Sequence, residues 1–272
     1  SRLEHYAVWG GVPRYWEVCE GERDLWETIR DEVFSPNGLF HEEPNFVLKD
    51  DLEGAAQTAS VLSLIGQGAE RPAEMAGRLQ VPQTALARPL KRLQELGLVR
   101  RDVPFSTDVK GGKKSLYKLS DPFLNFWYTF ALPQYSNSQF LQNAADREAI
   151  EKPFRVFLGQ AWEELVRATL REKPLPGSTV RWGNVGRWWG AGLNRQPFEV
   201  DVVAESSDGK TLLVGEAKLK LTKLEAEHAL SELEAKANLL PFAARYKKIV
   251  TRLFVAEKAR DGEVSLDWVE GA

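Results

Sequence analysis

The stretch from Phe198 to Leu219 constrains the fold of this chain more than any other. It reads as an apolar strand, Phe198-Glu199-Val200-Asp201-Val202-Val203-Ala204, a turn through Ser206-Ser207-Asp208-Gly209, and a return strand, Thr211-Leu212-Leu213-Val214-Gly215-Glu216-Ala217-Lys218-Leu219. An Asp-Gly pair between alternating apolar residues is the strongest short-range hairpin signal, because both turn positions favour positive φ. A two-residue turn at Asp208-Gly209 pairs Ser207 with Lys210. Counting back then sets Asp201 opposite Glu216 and Glu199 opposite Lys218. The pleat predicts one face carrying Glu199, Asp201, Val203, Val214, Glu216 and Lys218. The other, carrying Phe198, Val200, Val202, Leu213, Gly215, Ala217 and Leu219, is expected to be a core face.

Two carboxylates directly across a ladder lie about 5 Å apart and repel, so a chain that keeps them there usually has a cation between them. Hard oxygen ligands suit Mg2+ or Mn2+, which bind through one or two carboxylates and retain water for a phosphate substrate. Lys218, two residues beyond Glu216, is expected at the same site as a point charge for a phosphate or an attacking water. The order Asp, turn, Glu-x-Lys resembles the core of the PD-(D/E)xK, restriction-endonuclease-like nucleases. That resemblance implies Asp201 and Glu216 as metal ligands, with Asp201, Glu216 and Lys218 as the catalytic set.

With 36 Lys and Arg against 39 Asp and Glu, the net charge is -3, so any surface for a polyanion must be local. The single cysteine, Cys19, excludes a disulfide framework and a cysteine-based zinc site, and it fits a reducing cytoplasm. His5, His41 and His228 are too scattered to suggest a histidine metal cluster or a Ser-His-Asp arrangement. The apolar runs fall short of the ~20 residues a membrane span needs, and no signal peptide is read. The chain begins at Ser1 and runs straight into structured-looking sequence. It is expected to be a fragment of a longer polypeptide.

Three regions are read. In residues 1–50 the run Tyr6-Ala7-Val8-Trp9 breaks at Gly10-Gly11 and restarts as a helix with Pro13 in its first turn. The helical pattern continues through Leu25, Trp26, Ile29 and Val33 to a Ser35-Pro36-Asn37-Gly38 turn, its aromatic residues being core. Residues 54–135 hold three helices: Ala55 to Ile65; Arg71-Pro72 to Leu79; and Thr84 to Leu96, with Leu86, Leu90, Leu93 and Leu96 inward. Pro89 is expected to kink the third helix or delay its start. A hairpin from Arg100 to Leu119 follows. This is the layout of a winged helix-turn-helix, whose second motif helix lies in the DNA major groove. Arg88, Lys91 and Arg92 are then the outward DNA-binding residues of the helix, and Lys110, Lys113 and Lys114 tip the wing. From residue 54 to 120 there are eleven Lys or Arg against five Asp or Glu, a local excess expected of a phosphate-binding surface. A charged winged helix that only contacts protein remains the alternative.

After a polar linker at 136–143, residues 145–272 form the third region. It begins with a helix over Ala149 to Glu172, followed by a strand-like stretch from Val180 to Trp189 interrupted by glycine. Arg181 and Arg187 in that stretch are candidate phosphate contacts. Beyond the hairpin come a Glu- and Lys-rich helix from Leu221 to Leu240 and a strand from Lys248 to Val255. The expected fold class is α+β or α/β: a helical segment and a winged helix-turn-helix, then a restriction-endonuclease-like mixed sheet flanked by helices. By resemblance to that nuclease fold, Glu163 on the first helix is a further catalytic carboxylate.

Two distant stretches, Tyr6-x-x-x-Gly10-Gly11-x-Pro13-x-Tyr15 and Asp121-Pro122-Phe123-Leu124-x-Phe126-Trp127-Tyr128, resemble the C-terminal part of archaeal and bacterial AAA-like ATPases. Trp188-Trp189 followed by Glu199-x-Asp201 resembles their DUF234 domain. Leu219 stands where many relatives of that group place a tryptophan. No G-x-x-x-x-G-K-[ST] occurs: Gly111-Gly112-Lys113-Lys114-Ser115 has the wrong spacing, so no ATP hydrolysis is expected of this chain alone. The resemblance implies a DNA-binding region of such an ATPase carrying a Mg2+- or Mn2+-dependent deoxyribonuclease site. Its partners would be DNA, the ATPase module and a second copy of the chain, with none in a membrane. The alternative is a DNA-binding or scaffold module whose nuclease fold is inert. In a third reading Glu199, Lys218, Asp201 and Glu216 form an internal charge network without metal.

Overall fold

The computed structural model describes residues 1–17, 24–44, 55–107, 114–135 and 147–257. Cys19, Lys110, Lys113 and the expected linker lie outside the described residues. The chain divides into two compact units, Ser1–Asp102 with Ser115–Arg155, and Val103–Lys114 with Val156–Ala272.

In the first unit, helix α1 (Arg2–Trp9) starts at a capping box between Ser1 and Glu4. It ends at Gly10, whose φ of 60° suits glycine. Helix α2 (Pro13–Glu17) opens on its proline, as expected. Helix α3 (Leu25–Ile29) is capped by Asp24 and continues into a π-helical turn over Arg30–Phe34. Trp9, Tyr15, Phe40 and Phe123 form an aromatic core, with Tyr15 and Phe123 rings 4.5 Å apart and Trp9 and Phe123 stacked at 5.8 Å.

Helices α4 (Ala55–Gly66), α5 (Pro72–Leu79) and α6 (Ala87–Glu95) come next, followed by the antiparallel strands β1 (Val99–Asp102) and β2 (Leu116–Leu119). Pro89 does delay the third helix: a 3-10 turn over Gln83–Leu86 precedes α6, which places Pro89 in the first turn where it costs no hydrogen bond. Leu86, Leu90 and Leu93 are buried, whereas Leu96 is 40% exposed, because the helix stops before it. Helices α7 (Pro122–Phe126) and α8 (Leu132–Tyr135) flank a second π-helical turn. The long helix α9 (Arg147–Glu172) follows, with the division between the units falling inside it.

The second unit holds a four-stranded mixed sheet in the order β3 (Trp182–Ala191), β4 (Pro197–Ser206), β5 (Thr211–Lys218), β6 (Lys248–Val255). β3, β4 and β5 are antiparallel in turn, and β6 runs parallel to β5. Helix α10 (Lys223–Leu239) makes the crossover, entered through a capping box between Thr222 and Glu225. The glycine-containing stretch expected to be broken is one continuous strand, β3, with a register shift at Gly183. The connection between β1 and β2 belongs to this unit: the Phe105 N–H donates to Arg187 O, and its ring joins the core beside Trp188 and Phe242.

Both faces of the sheet are buried, as a sheet flanked by helices requires. Val200, Val203, Leu212, Val214, Leu253 and Val255 pack with Leu233, Ala237 and Leu240 of the α10 side. On the other face, Gly215 leaves room for Phe254 and Val202, since a Cβ there would lie 2.6 Å from the phenylalanine ring. The α9 residue Trp162 donates its indole N–H to Phe254 O.

Candidate active site

The hairpin keeps the expected register but reaches it with a different turn. Val202 pairs with Gly215, Val203 with Val214 and Glu205 with Leu212, as the count expects, but the β4–β5 ladder ends there and the expected pair of Asp201 with Glu216 is not formed. Only Gly209 has positive φ. Its N–H donates to Ser206 O, closing a four-residue turn. Asp208 Oδ1 accepts from Ser206 Oγ and from Lys210 N, and Ser207 donates to Arg181 O rather than pairing with Lys210. Two polar side chains hold this turn, so Asp208 need not adopt positive φ.

At the other end the ladder stops. Between Gly186↔Val203 and Trp188↔Val200, β3 has one residue, Arg187, while β4 has two, Asp201 and Val202. Such a bulge kinks the strand and re-aims a side chain. It also places Val200 on the same face as Val203, which strict alternation forbids and which the expected face assignment missed. The β4–β5 pairs end at Val202↔Gly215, whereas β5 remains paired to β6 through Lys218↔Val255. Glu199 pairs with Trp189 instead, so Glu199 and Lys218 are not a cross-strand pair.

Asp201 sits where β4 and β5 part. Its Oδ2 accepts the Ala217 N–H at 2.9 Å. From α9, the Arg167 guanidinium, whose side chain is 5% exposed, donates to Asp201 O at 2.6 Å, lies 2.9 Å from Glu164 and lies 3.5 Å from Glu163. Glu216 is gripped on both oxygens: Lys218 Nζ lies 2.9 Å from Oε1 and Lys236 Nζ, from α10, 3.2 Å from Oε2. The structure thus gathers Asp201, Glu216, Lys218 and Glu163 at one end of the sheet. Arg167 and Lys236 are the two residues that sequence reasoning missed. Arg167 was signalled only by its i,i+4 spacing from Glu163, and Lys236 is one charge among many on a Glu- and Lys-rich helix.

The electrostatics are those of a site that resists full ionisation. Burial pushes the Asp201 carboxyl above its ordinary range; the Ala217 hydrogen bond opposes this and the charge of Glu216 adds to it. Burial pulls the Lys218 ammonium down, but the hydrogen bond to Glu216 and the fields of Glu216, Asp201 and Glu163 outweigh it, so its pKa lies above the ordinary value. Lys218 is therefore a standing positive charge at neutral pH and not a proton acceptor.

Asp201 and Glu216 are carboxylates of the type that binds Mg2+ or Mn2+, but Asp201 Oδ2 accepts from Ala217 N and both Glu216 oxygens are held by lysines. Among the described residues, no group of three or more His, Cys, Asp or Glu is arranged to hold a metal ion. The expected nucleic-acid residues Arg88, Lys91 and Arg92 lie exposed on α6, with Lys91 3.6 Å from Glu95. Lys114 is also exposed, at the end of the β1–β2 connection in the second unit. Arg187 lies over the Trp189 ring at 4.7 Å. No helix among the described residues is long and apolar enough to cross a membrane.

Residues 127–230 match the DUF234 family, described as archaea bacterial proteins of unknown function. The matched range contains Glu163, Arg167, Asp201, Glu216 and Lys218 and ends before Lys236. The chain is also 26% identical over 222 residues to an uncharacterized protein of Methanocaldococcus jannaschii, covering 80% of this chain and 48% of that protein. It thus spans about half the length of the curated relative it matches. No solved structure matches the chain.

Proposed function

We propose that the chain carries a metal-dependent phosphodiesterase site for DNA, with Asp201 and Glu216 as the ligands of Mg2+ or Mn2+ and Lys218 as the cation beside the reacting phosphate. The observation that carries this reading is the meeting of Asp201, Glu216 and Lys218 at a β-bulge where β4 and β5 separate. A bound divalent ion would supply Lewis acidity and a nucleophilic water at neutral pH. Asp201 is held in place by Ala217 N and by Arg167 acting on its carbonyl, so its carboxylate is presented with a fixed orientation. Lys218 offers a permanent charge to the negative charge that builds on phosphorus oxygens during in-line attack. Glu163, reached through Arg167, stands by as the assisting carboxylate.

The helices α4 to α6 with the β1–β2 hairpin are read as the winged helix-turn-helix that engages the duplex through Arg88, Lys91 and Arg92. An AAA-like ATPase module outside the chain is the partner this reading implies. A second reading, an inert fold used for DNA tethering, is favoured by the two lysines that already neutralise Glu216.

The deciding assay incubates supercoiled, linear and branched DNA with the chain in Mg2+ or Mn2+, beside Asp201→Ala and Lys218→Ala. Metal-dependent cleavage lost by at least about a hundredfold in both variants supports the nuclease. Salt-sensitive binding without cleavage supports the tether.

A further inference from the structure

We infer that Lys236 is an internal counter-ion for Glu216, competing with the divalent ion for the same carboxylate and setting how tightly the site takes metal. This inference rests on the metal reading of Asp201 and Glu216. Glu216 is two residues beyond Val214 and shares its face, the one covered by α10. Lys236 lies in the last turn of α10 beside the buried Leu233 and Ala237, so its stem runs along the core and its ammonium emerges at Glu216 Oε2. Its side chain is 31% exposed and that of Glu216 15% exposed. The pair is thus sheltered enough to matter, and the lysine still has water to move into.

Lys218 and Lys236 differ in what they can do. Lys218 is on the strand with Glu216, its backbone paired to Val255 of β6, and its ammonium holds Oε1, whereas Lys236 holds Oε2. Lys236 comes from another element and holds Glu216 only by its flexible tip. When a divalent ion enters, Lys236 is the group that can yield Oε2 and swing outward, and the freed ammonium is then available to a phosphate of the substrate. A site built this way takes metal weakly when alone and more readily when a polyanion draws the released lysine away.

The test titrates Mn2+ calorimetrically into the full chain at fixed ionic strength, using wild type, Lys236→Met, Lys236→Gln, Lys236→Arg and Lys223→Met, with Asp201→Ala marking the site. Thermal unfolding without metal checks that each variant is folded. Lys223 is on the same helix and is not one of the lysines that hold Glu216, so Lys223→Met makes the same change in net charge while leaving both Glu216 contacts in place. The expected result is Mn2+ binding about tenfold tighter in Lys236→Met and Lys236→Gln, since the variants need not break a charge-assisted hydrogen bond. Lys236→Arg and Lys223→Met should bind no tighter than wild type. Asp201-dependent binding in wild type that is unchanged or weaker in Lys236→Met and Lys236→Gln overturns the counter-ion and leaves the metal site standing. Tightening that is equal in Lys223→Met also overturns it. Absence of binding in every variant overturns it together with the metal reading.

Discussion

Two aspartates seven residues apart on one hairpin are treated in opposite ways by the fold. Asp208, at the turn end, is exposed and hydrogen-bonded by Ser206 Oγ and Lys210 N, which holds its carboxyl below the ordinary range. Asp201, at the open end, is pushed above the ordinary range by burial. The turn end is held by its own neighbours in sequence. The open end depends on Arg167 from α9 and Lys236 from α10, two helices reaching in from opposite faces of the sheet. A charge that stabilises its local structure explains itself, whereas one that folding disfavours asks for a function.

The dependence on distant elements predicts the largest effect. Replacing Arg167 with Ala removes a buried guanidinium that serves Asp201 O, Glu163 and Glu164, and should lower unfolding stability by about 3 kcal/mol in urea titrations. An effect within experimental error would mean that the open end is as self-sufficient as the turn.

A smaller, paired effect tests the sign of the comparison. Asp201→Asn should raise Tm at neutral pH, because the raised folded pKa makes the ionised form a cost that grows as pH rises through the carboxylate range. Asp208→Asn should lower Tm at neutral pH, because a lowered folded pKa contributes stability above the unfolded pKa of about 4 that is lost as pH falls. Melting curves from pH 3 to 8 should show the two differences converging toward zero in acid. Shifts of the same sign would break the contrast.

The hairpin was legible because Asp208-Gly209 marks the middle of two apolar strands, and any turn centred there gives the same register. The turn type was not legible, since Ser206 and Asp208 satisfy the backbone in a way that the Asp-Gly pair alone does not reveal. The bulge had one faint trace, the adjacent apolar residues Val202 and Val203, which break alternation but read equally well as a strand buried on both faces. Pro89 announced the late start of α6 correctly. Glu216's second cation could not be read from Lys223, Glu225, Glu227, Glu232, Glu234 and Lys236, because a charged helix face does not say which charge meets the sheet. Arg167 was hidden for a related reason: a helical Glu-Arg pair is ordinarily a solvated surface feature, and only the packing of α9 turns it inward.

An anomalous difference map from crystals of the chain soaked in Mn2+ decides whether Asp201 and Glu216 share a metal ion. The expected map has a peak within about 2.2 Å of carboxylate oxygens from both Asp201 and Glu216, with Lys236 withdrawn from Oε2. A map without a peak there, with Lys218 and Lys236 still on Glu216, would contradict a shared ion.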